Sequence, residues 1–343
     1  MLWIAWIGGA LLALIASGAS YQWLGTRRDA RRYPPPGLLV DIGGGQRIHL
    51  YALGAGSPTV ILESGVSATS LNWRGVQKTL APLTRVVAYD RAGLGWSDSI
   101  DTPRTASQIA AELHAALKAA QFQPPYILVA HSFGGLVARR FAHLYTDELA
   151  GIVLVDPLAP QEWWPLSDTH RRNLRMGIRL SRRGASLARI GMVRATLSLV
   201  LSGSRRLPQV IGKATGGPGS GVINRIAGEV GKMPREVWPM VAAQWSDPKS
   251  FLGMAAHFES LPESVGETLR TPPLEAVPVI DLTAGKNPRP SDEQIRAIGS
   301  NVRHVVARDS GHWIHLDQPD LVTDAVRSLV EASRIASPEV QHK

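Results

Sequence analysis

The hydrophobic positions of this chain follow two contrasting patterns. Residues 2–25 contain no charged side chain and are rich in Leu, Ile, Ala and Trp. A run of this length can cross the hydrocarbon core of a bilayer as a helix. Beyond residue 37, short apolar runs alternate with amphipathic stretches, which predicts alternating strands and helices.

The alternating region predicts a mainly parallel sheet. Strand patterns occur at residues 38–42, 47–53, 58–63, 85–89, 126–130, 151–156, 277–283 and 301–307. Helical patterns occur at residues 106–120, 135–144 and 319–332. This alternation implies an α/β fold in which helices cover both faces of the sheet and chemistry lies at the carboxyl ends of the strands.

The alternation stops between residues 160 and 262. This insertion has no convincing strand, and it contains Arg-rich amphipathic runs such as 169–180 and 187–201 and a flexible Gly-rich interruption at 216–221. We therefore predict four parts, listed here in chain order: a transmembrane anchor (1–26), a basic and Pro-rich juxtamembrane linker (27–37), a core (38–159 and 263–335) and a helical insertion (160–262).

The flanks of the apolar N-terminal run indicate an orientation. Aromatic residues lie toward its ends, as interfacial anchors do: Trp3, Trp6, Tyr21 and Trp23. Four arginines follow between residues 27 and 32, so the positive-inside bias predicts that the domain after them is cytoplasmic. The alternative is a signal peptide cleaved at Ser17-Gly18-Ala19, which would give a secreted or periplasmic protein. The long apolar run without a basic leading segment favours the anchor.

The distribution of charge also indicates contact with a membrane surface. The chain of 343 residues carries a net charge of +9, and residues 161–250 contain 15 Lys or Arg and 5 acidic residues. No nucleic-acid recognition motif accompanies this excess, so we expect an anionic membrane surface as the partner and no nucleic acid. The chain has no cysteine, which excludes disulfides and thiolate chemistry. No phosphate loop or metal-ligand cluster is present in the sequence, so neither cofactor nor metal is expected.

A candidate nucleophile lies where one strand pattern meets a helical pattern. Residues 130–135 read AHSFGG, and small residues around Ser132 suit the strained strand-to-helix turn that exposes a nucleophilic serine. A serine hydroxyl needs a base, and His312 lies in a loop between the last strand and the last helix. His315 is the competing base. We expect His131 to support the shape of the site and not to transfer protons.

Two further loops complete a family pattern. Residues 89–98 read YDRAGLGWSD and match D-x-x-G-x-G-x-S, and residues 64–66 read SGV, where the family motif is H-G-x. With Ser132 and His312 these motifs resemble the α/β-hydrolase-fold serine hydrolases over residues 38–331, apart from the insertion. The resemblance implies an eight-stranded type of sheet, a helical cap and an oxyanion hole formed by the backbone N–H groups of Phe133 and Val66.

A serine nucleophile and its histidine base usually work with an acid that orients the histidine. This acid is the least determined residue of the candidate site. The family usually places it after the strand at 277–283 in a G-x-x-D pattern, but residues 284–292 read AGKNPRPSD. Some relatives carry the acid at the end of the strand after the nucleophile helix, where Asp156 lies. We favour Asp156, although an Asp-Pro pair can also simply begin a turn. Asp292 is the second candidate, and Asp281 or a missing acid remain possible.

A serine nucleophile implies acyl transfer to water through an acyl-enzyme. The expected activity is that of a membrane-anchored carboxylesterase or lipase acting on hydrophobic, lipid-like esters. Large apolar side chains of the insertion are candidates to line an acyl site or to pack within the cap: Trp163, Trp164, Trp238, Met240, Trp245 and Met254. The alternatives are a proline-releasing aminopeptidase or other amidase, and a catalytically inactive, membrane-tethered binding module.

Overall fold

The structure is a computed structural model that describes residues 2–99, 101–201, 230–287 and 290–336. The Gly-rich interruption expected at 216–221 lies outside these residues. The chain divides into two compact units. One unit comprises Met1–Pro34 and Met176–Ala255, and the other, here called the sheet unit, comprises Pro35–Arg175 and Ala256–Lys343.

The sheet unit contains all eight strands of one sheet. Its strands are β1 (Leu38–Asp41), β2 (Arg47–Leu53), β3 (Thr59–Glu63), β4 (Val86–Asp90), β5 (Tyr126–His131), β6 (Leu149–Val155), β7 (Val279–Ala284) and β8 (Val302–Ala307). They lie in the order β1-β2-β4-β3-β5-β6-β7-β8. Strand β2 pairs antiparallel with β1 and β4, and all other neighbours are parallel. The predicted α/β fold with a mostly parallel sheet is confirmed.

Both units contain helices. Their bounds are α1 (Leu2–Arg32), α2 (Arg74–Leu80), α3 (Ala106–Ala119), α4 (Gly134–Leu144), α5 (Asp168–Arg189), α6 (Met192–Leu201), α7 (Trp238–Trp245), α8 (Pro248–Leu269), α9 (Asp292–Arg296), α10 (Ile314–Asp317) and α11 (Pro319–Ala336). The predicted run 169–180 lies within α5, whereas the predicted run 187–201 is divided between the end of α5 and α6. The break between these helices falls at Gly191, whose φ of 73° lies in the left-handed region that glycine tolerates.

Burial on both faces explains the continuous apolar runs of the central strands. Every residue of β3, β4 and β5 is buried, as expected for parallel strands covered on both sides. On one face the core includes Leu113 of α3 and Phe141 of α4. On the other it includes Leu80 of α2 and Val326 of α11. Because helices cover both faces, the loops of the candidate site lie at the carboxyl ends of the strands.

In the other unit, helix α1 packs against α6 and α7. It includes the four arginines between residues 27 and 32 and ends before the prolines at 34–36. Arg194 of α6 is buried, and its Nε donates to Oε1 of Gln22 over 3.0 Å. Nη1 of the same guanidinium pairs with Asp29. By length and composition, α1 is the one candidate membrane span among the described residues.

Candidate active site

Ser132 occupies the sharp turn between β5 and α4. Its φ is 54°, a left-handed conformation that is strained for a residue with a side chain. Its N–H donates to the carbonyl of Val155 on the neighbouring strand over 3.1 Å. A Cβ at Gly134 would lie only 2.8 Å from the carbonyl oxygen of Ser64, so the turn requires a residue without a side chain there. This is the strand, turn and helix arrangement that presents a nucleophile in α/β folds.

Asp156 and His312 form a pair at the same edge of the sheet. Nδ1 of His312 lies 2.6 Å from Oδ2 of Asp156, which is buried just after β6. The same carboxylate accepts two other hydrogen bonds, from the N–H of Ala284 over 2.9 Å and from Nδ2 of Asn287 over 2.7 Å. A carboxylate accepts but does not donate, so it holds the proton of His312 on Nδ1 and leaves Nε2 as the basic nitrogen.

The other candidate acids lie elsewhere. Asp292 is exposed in the first turn of α9, where Ser291 caps the helix. Among the described residues, no hydrogen bond or ion pair joins it to His312. Asp281 is buried on β7, and burial, together with the charge of Asp156, raises its pKa to about 7. Its Oδ2 lies 4.0 Å from Nε2 of His304.

Two further histidines surround the candidate base. His131 is buried, and its Nε2 donates to the backbone carbonyl of His312 over 2.9 Å. Burial, reinforced by His315 and His312, holds the pKa of His131 well below its usual range, so this ring is neutral. His315 is also buried, and it stacks on Trp73 with 4.3 Å between ring centroids. His131 therefore supports the backbone that carries His312.

The two N–H groups expected to bind an oxyanion are available. Within the described residues, neither the N–H of Val66 nor that of Phe133 donates a hydrogen bond. The loop before Val66 lies against the nucleophile turn, since a Cβ at Gly65 would be 3.4 Å from Cβ of Ser132. Backbone N–H groups without a partner near a candidate nucleophile can donate hydrogen bonds to a negative charge that develops only during a reaction.

Sequence reasoning assigned a supporting role to His131 but missed the polar residue that supports the candidate acid. Asn287 lies in the loop where the family pattern usually has its acid, and its amide instead bonds to Asp156. The sequence did contain a signal for this role, because an amide side chain stands in the loop where the family pattern has a carboxylate. The described residues contain no group of three or more His, Cys, Asp or Glu side chains placed to hold a metal ion.

The comparisons with known proteins identify the family. The profile described as "Alpha/beta hydrolase family" matches residues 54–325. The chain therefore belongs to the alpha/beta hydrolase family, a family of hydrolase enzymes.

Individual relatives match shorter segments. Over 85 residues, 24% of this chain, it is 44% identical to an AB hydrolase superfamily protein of Gibberella zeae, of which the match covers 26%. The chain spans less than half the length of the first curated relatives it matches, at 26%, 18% and 41%.

Solved structures resemble it over most of its length. An esterase from Thermogutta terrifontis has a TM-score of 0.58 at 20% identity, with 86% of this chain and 97% of that chain covered. The epoxide hydrolase CorEH has a TM-score of 0.59 at 17% identity, covering 85% and 98%. At these low sequence identities, the similarity to the two structures shows a shared fold and nothing more.

Proposed function

We propose that this hydrolase is a serine esterase that cleaves carboxylic esters through an acyl-enzyme. The observation that carries the proposal is the hydrogen bond between His312 and Asp156 at the sheet edge where Ser132 holds its strained turn. A histidine base oriented by a buried carboxylate, at the same sheet edge as a serine in a strained turn, supports activation of the serine hydroxyl.

Each group has a defined role in the proposed reaction. Nε2 of His312 takes the proton of Ser132 as the hydroxyl oxygen attacks the ester carbonyl, and Asp156 stabilises the resulting imidazolium. The N–H groups of Val66 and Phe133 receive the negative charge on the carbonyl oxygen. His312 then gives its proton to the leaving alcohol. In the second half-reaction it takes a proton from water, which attacks the acyl-enzyme, and returns that proton to Ser132.

The identity of the nucleophile separates this proposal from other chemistries of the family. An aspartate at position 132 would favour epoxide or halide chemistry through an alkyl-enzyme, whereas a serine favours acyl transfer. Esters are favoured over peptides ending in a free amine because the insertion is basic, and a substrate amine would need acidic groups.

The proposed substrates are hydrophobic, lipid-like esters close to a membrane. Helix α1 supplies a candidate span, and α5 exposes seven arginines: Arg171, Arg172, Arg175, Arg179, Arg182, Arg183 and Arg189. Each basic side chain near an anionic surface contributes about 1 kcal/mol to membrane attraction. Large apolar residues such as Trp164 and Met176 are also exposed. These features support a protein that works at a lipid surface.

A chain-length series tests this function. Purified full-length protein in detergent should hydrolyse p-nitrophenyl acyl esters, with kcat/KM rising from acetyl to longer acyl chains. The Ser132→Ala variant is the matched control and should lose this turnover. Absence of hydrolysis at every chain length would overturn the esterase proposal, and a preference for the acetyl ester would overturn the lipid-like substrate.

A further inference from the structure

A buried charged cluster lies beneath the proposed oxyanion loop. Strands β3 and β4 are parallel neighbours, so Glu63 at the end of β3 lies near Tyr89 and Arg91 at the end of β4. Nη2 of Arg91 pairs with Oε1 of Glu63, and the hydroxyl of Tyr89 donates to Oε2. All three side chains are at most 3% exposed. None of them has a role in the reaction as described so far.

Stability alone is a weak reason for such a cluster. Desolvation of two charges largely offsets their attraction, and a well-packed apolar pair of similar size is often as stable. The contacts of Arg91 beyond Glu63 are more informative. Its guanidinium also donates to two consecutive backbone carbonyls, to that of Ser64 from Nη2 and to that of Gly65 from Nη1 over 3.1 Å.

The Gly65 carbonyl and the Val66 N–H belong to one peptide group. In a trans peptide these two groups point to opposite sides. By holding the carbonyl, Arg91 turns the Val66 N–H away from the guanidinium. We infer that Arg91 is a positioning residue of the oxyanion hole, which orients the Gly65–Val66 peptide group so that its N–H faces the reacting carbonyl. This inference rests on the proposed esterase function.

Two physical effects add to this orientation. A hydrogen bond to a peptide oxygen polarises the group and strengthens its N–H as a donor. The guanidinium carbon of Arg91 also lies 5.0 Å from the ring centroid of Phe133, whose N–H is the second proposed donor. One rigid guanidinium therefore contacts the Gly65 carbonyl of the first peptide group and the ring of Phe133. A lysine ammonium lacks the planar fork and cannot reproduce these bonds.

The test compares two matched double variants of the full-length protein. Glu63→Gln/Arg91→Met removes the cluster without leaving a lone buried charge. Arg104→Met/Glu112→Gln makes the same change in a separate buried pair, in which Arg104 bonds both oxygens of Glu112 over 2.7 and 2.6 Å. Loss of one oxyanion donor lowers kcat by about 10² to 10³. We expect the first variant to lose about 10² in kcat with KM nearly unchanged, and the control to keep wild-type kcat.

A second readout separates orientation from folding. An alkyl trifluoromethyl ketone forms a tetrahedral adduct on serine that uses the oxyanion hole, so its inhibition constant should rise about 10²-fold in the first variant, in step with kcat. Urea midpoints measure the stability of both variants. Equal kcat losses at equal midpoint losses would overturn the inference, because the cluster would then be purely structural.

Two remaining outcomes are also decisive. If the first double variant does not fold, the Arg91→Lys variant replaces it, and we expect its kcat to fall about 10-fold, a part of the full loss of one oxyanion donor. Full kcat in that variant would overturn the inference while leaving the esterase proposal intact. If wild-type protein neither turns over esters nor accepts a fluorophosphonate on Ser132, the proposed function fails, and the inference with it.

Discussion

At the scale of single residues, the environment of Asp156 explains how this chain can lack an acid in the usual loop. Its carboxylate accepts hydrogen bonds from His312, Asn287 and the N–H of Ala284. Its own N–H donates to the carbonyl of Leu282 on the adjacent strand over 2.6 Å. This candidate acid is thus held by β7 and its following loop, although it directly follows β6.

The first prediction concerns this acid. Replacing Asp156 by Asn exchanges one carboxylate oxygen for an NH₂ donor, which can impose the wrong tautomer on His312; the same change lowers kcat by about 10⁴ in the serine protease template. We expect a loss of this order for Asp156→Asn, measured with a p-nitrophenyl ester at saturating concentration. The exposed Asp292→Asn variant is the control and should keep its activity. Equal activity of the two variants would show that the acid is assigned wrongly.

The sequence predicted the nucleophile and base more readily than the acid for a physical reason. Ser132 and His312 lie in local motifs whose shape follows from neighbouring residues. The role of Asp156 depends on a contact with a residue 156 positions away. The support from Asn287 likewise depends on a tertiary contact, which no local pattern contains.

The second prediction concerns pH and the buried Asp281. Burial and the charge of Asp156 raise its pKa to about 7, whereas an unfolded Asp titrates near 3.9. The folded state therefore binds more protons between these values, and its stability falls as pH rises through this window. Asp281→Asn keeps the neutral form, so its unfolding free energy should exceed that of wild type by up to roughly 4 kcal/mol at pH 8.

This difference is measured by urea unfolding of both proteins from pH 4 to pH 8. Subtracting one curve from the other removes the titration of groups that the two proteins share. We expect the difference to grow with pH. A difference independent of pH would contradict a protonated Asp281.

At the scale of secondary-structure elements, α1 contributes to the packing of its unit. Gln22 and Asp29, one and three turns beyond Gly18, bond to Arg194, and Nε2 of Gln22 also donates to the carbonyl of Ser246 over 2.8 Å. Residues at this spacing lie on one helix face. This face packs on α6, so the C-terminal part of α1 belongs to the same unit as the inserted helices.

The sequence indicated the apolar character of α1 but not this packing. A lone Gln in an apolar run is compatible with an interfacial position, and Asp29 looks like part of a charged flank. The β-strands of the core were more predictable, because continuous burial leaves a continuous apolar run in the sequence.

The third prediction tests the packing of α1. A Cβ at Gly18 would collide with the carbonyl oxygen of Ile190, whereas a Cβ at Gly9 would meet nothing within 4 Å. Ala at either position gains about 1 kcal/mol in helix propensity. We expect Gly18→Ala to increase hydrogen exchange in α6 and Gly9→Ala to leave it unchanged. The same exchange in both variants would contradict a close contact at Gly18.

At the scale of the whole molecule, an apolar N-terminal helix and a basic inserted segment occur with a hydrolase core. These features favour a retained anchor over a cleaved signal peptide, because cleavage after Ala19 would remove the Gly18 contact with the inserted helices. The four arginines after the apolar run favour a cytoplasmic catalytic domain.

The fourth prediction concerns this anchoring. The full-length protein should stay in the membrane pellet after carbonate washing, and mass spectrometry of the purified chain should recover the peptide that contains Trp3 and Trp6. A reporter fused to the C-terminus should be protected from protease in intact cells. A mature chain that begins at residue 20 would contradict the anchor, and digestion of the reporter would contradict its orientation.

The central claim is that Ser132 is an activated nucleophile, and fluorophosphonate labelling tests it most directly. Full-length protein should gain the mass of one phosphonyl group, and peptide mapping should place that group on Ser132. The Ser132→Ala variant should gain none. Wild-type protein that remains unlabelled, or that is labelled at another residue, would contradict the account.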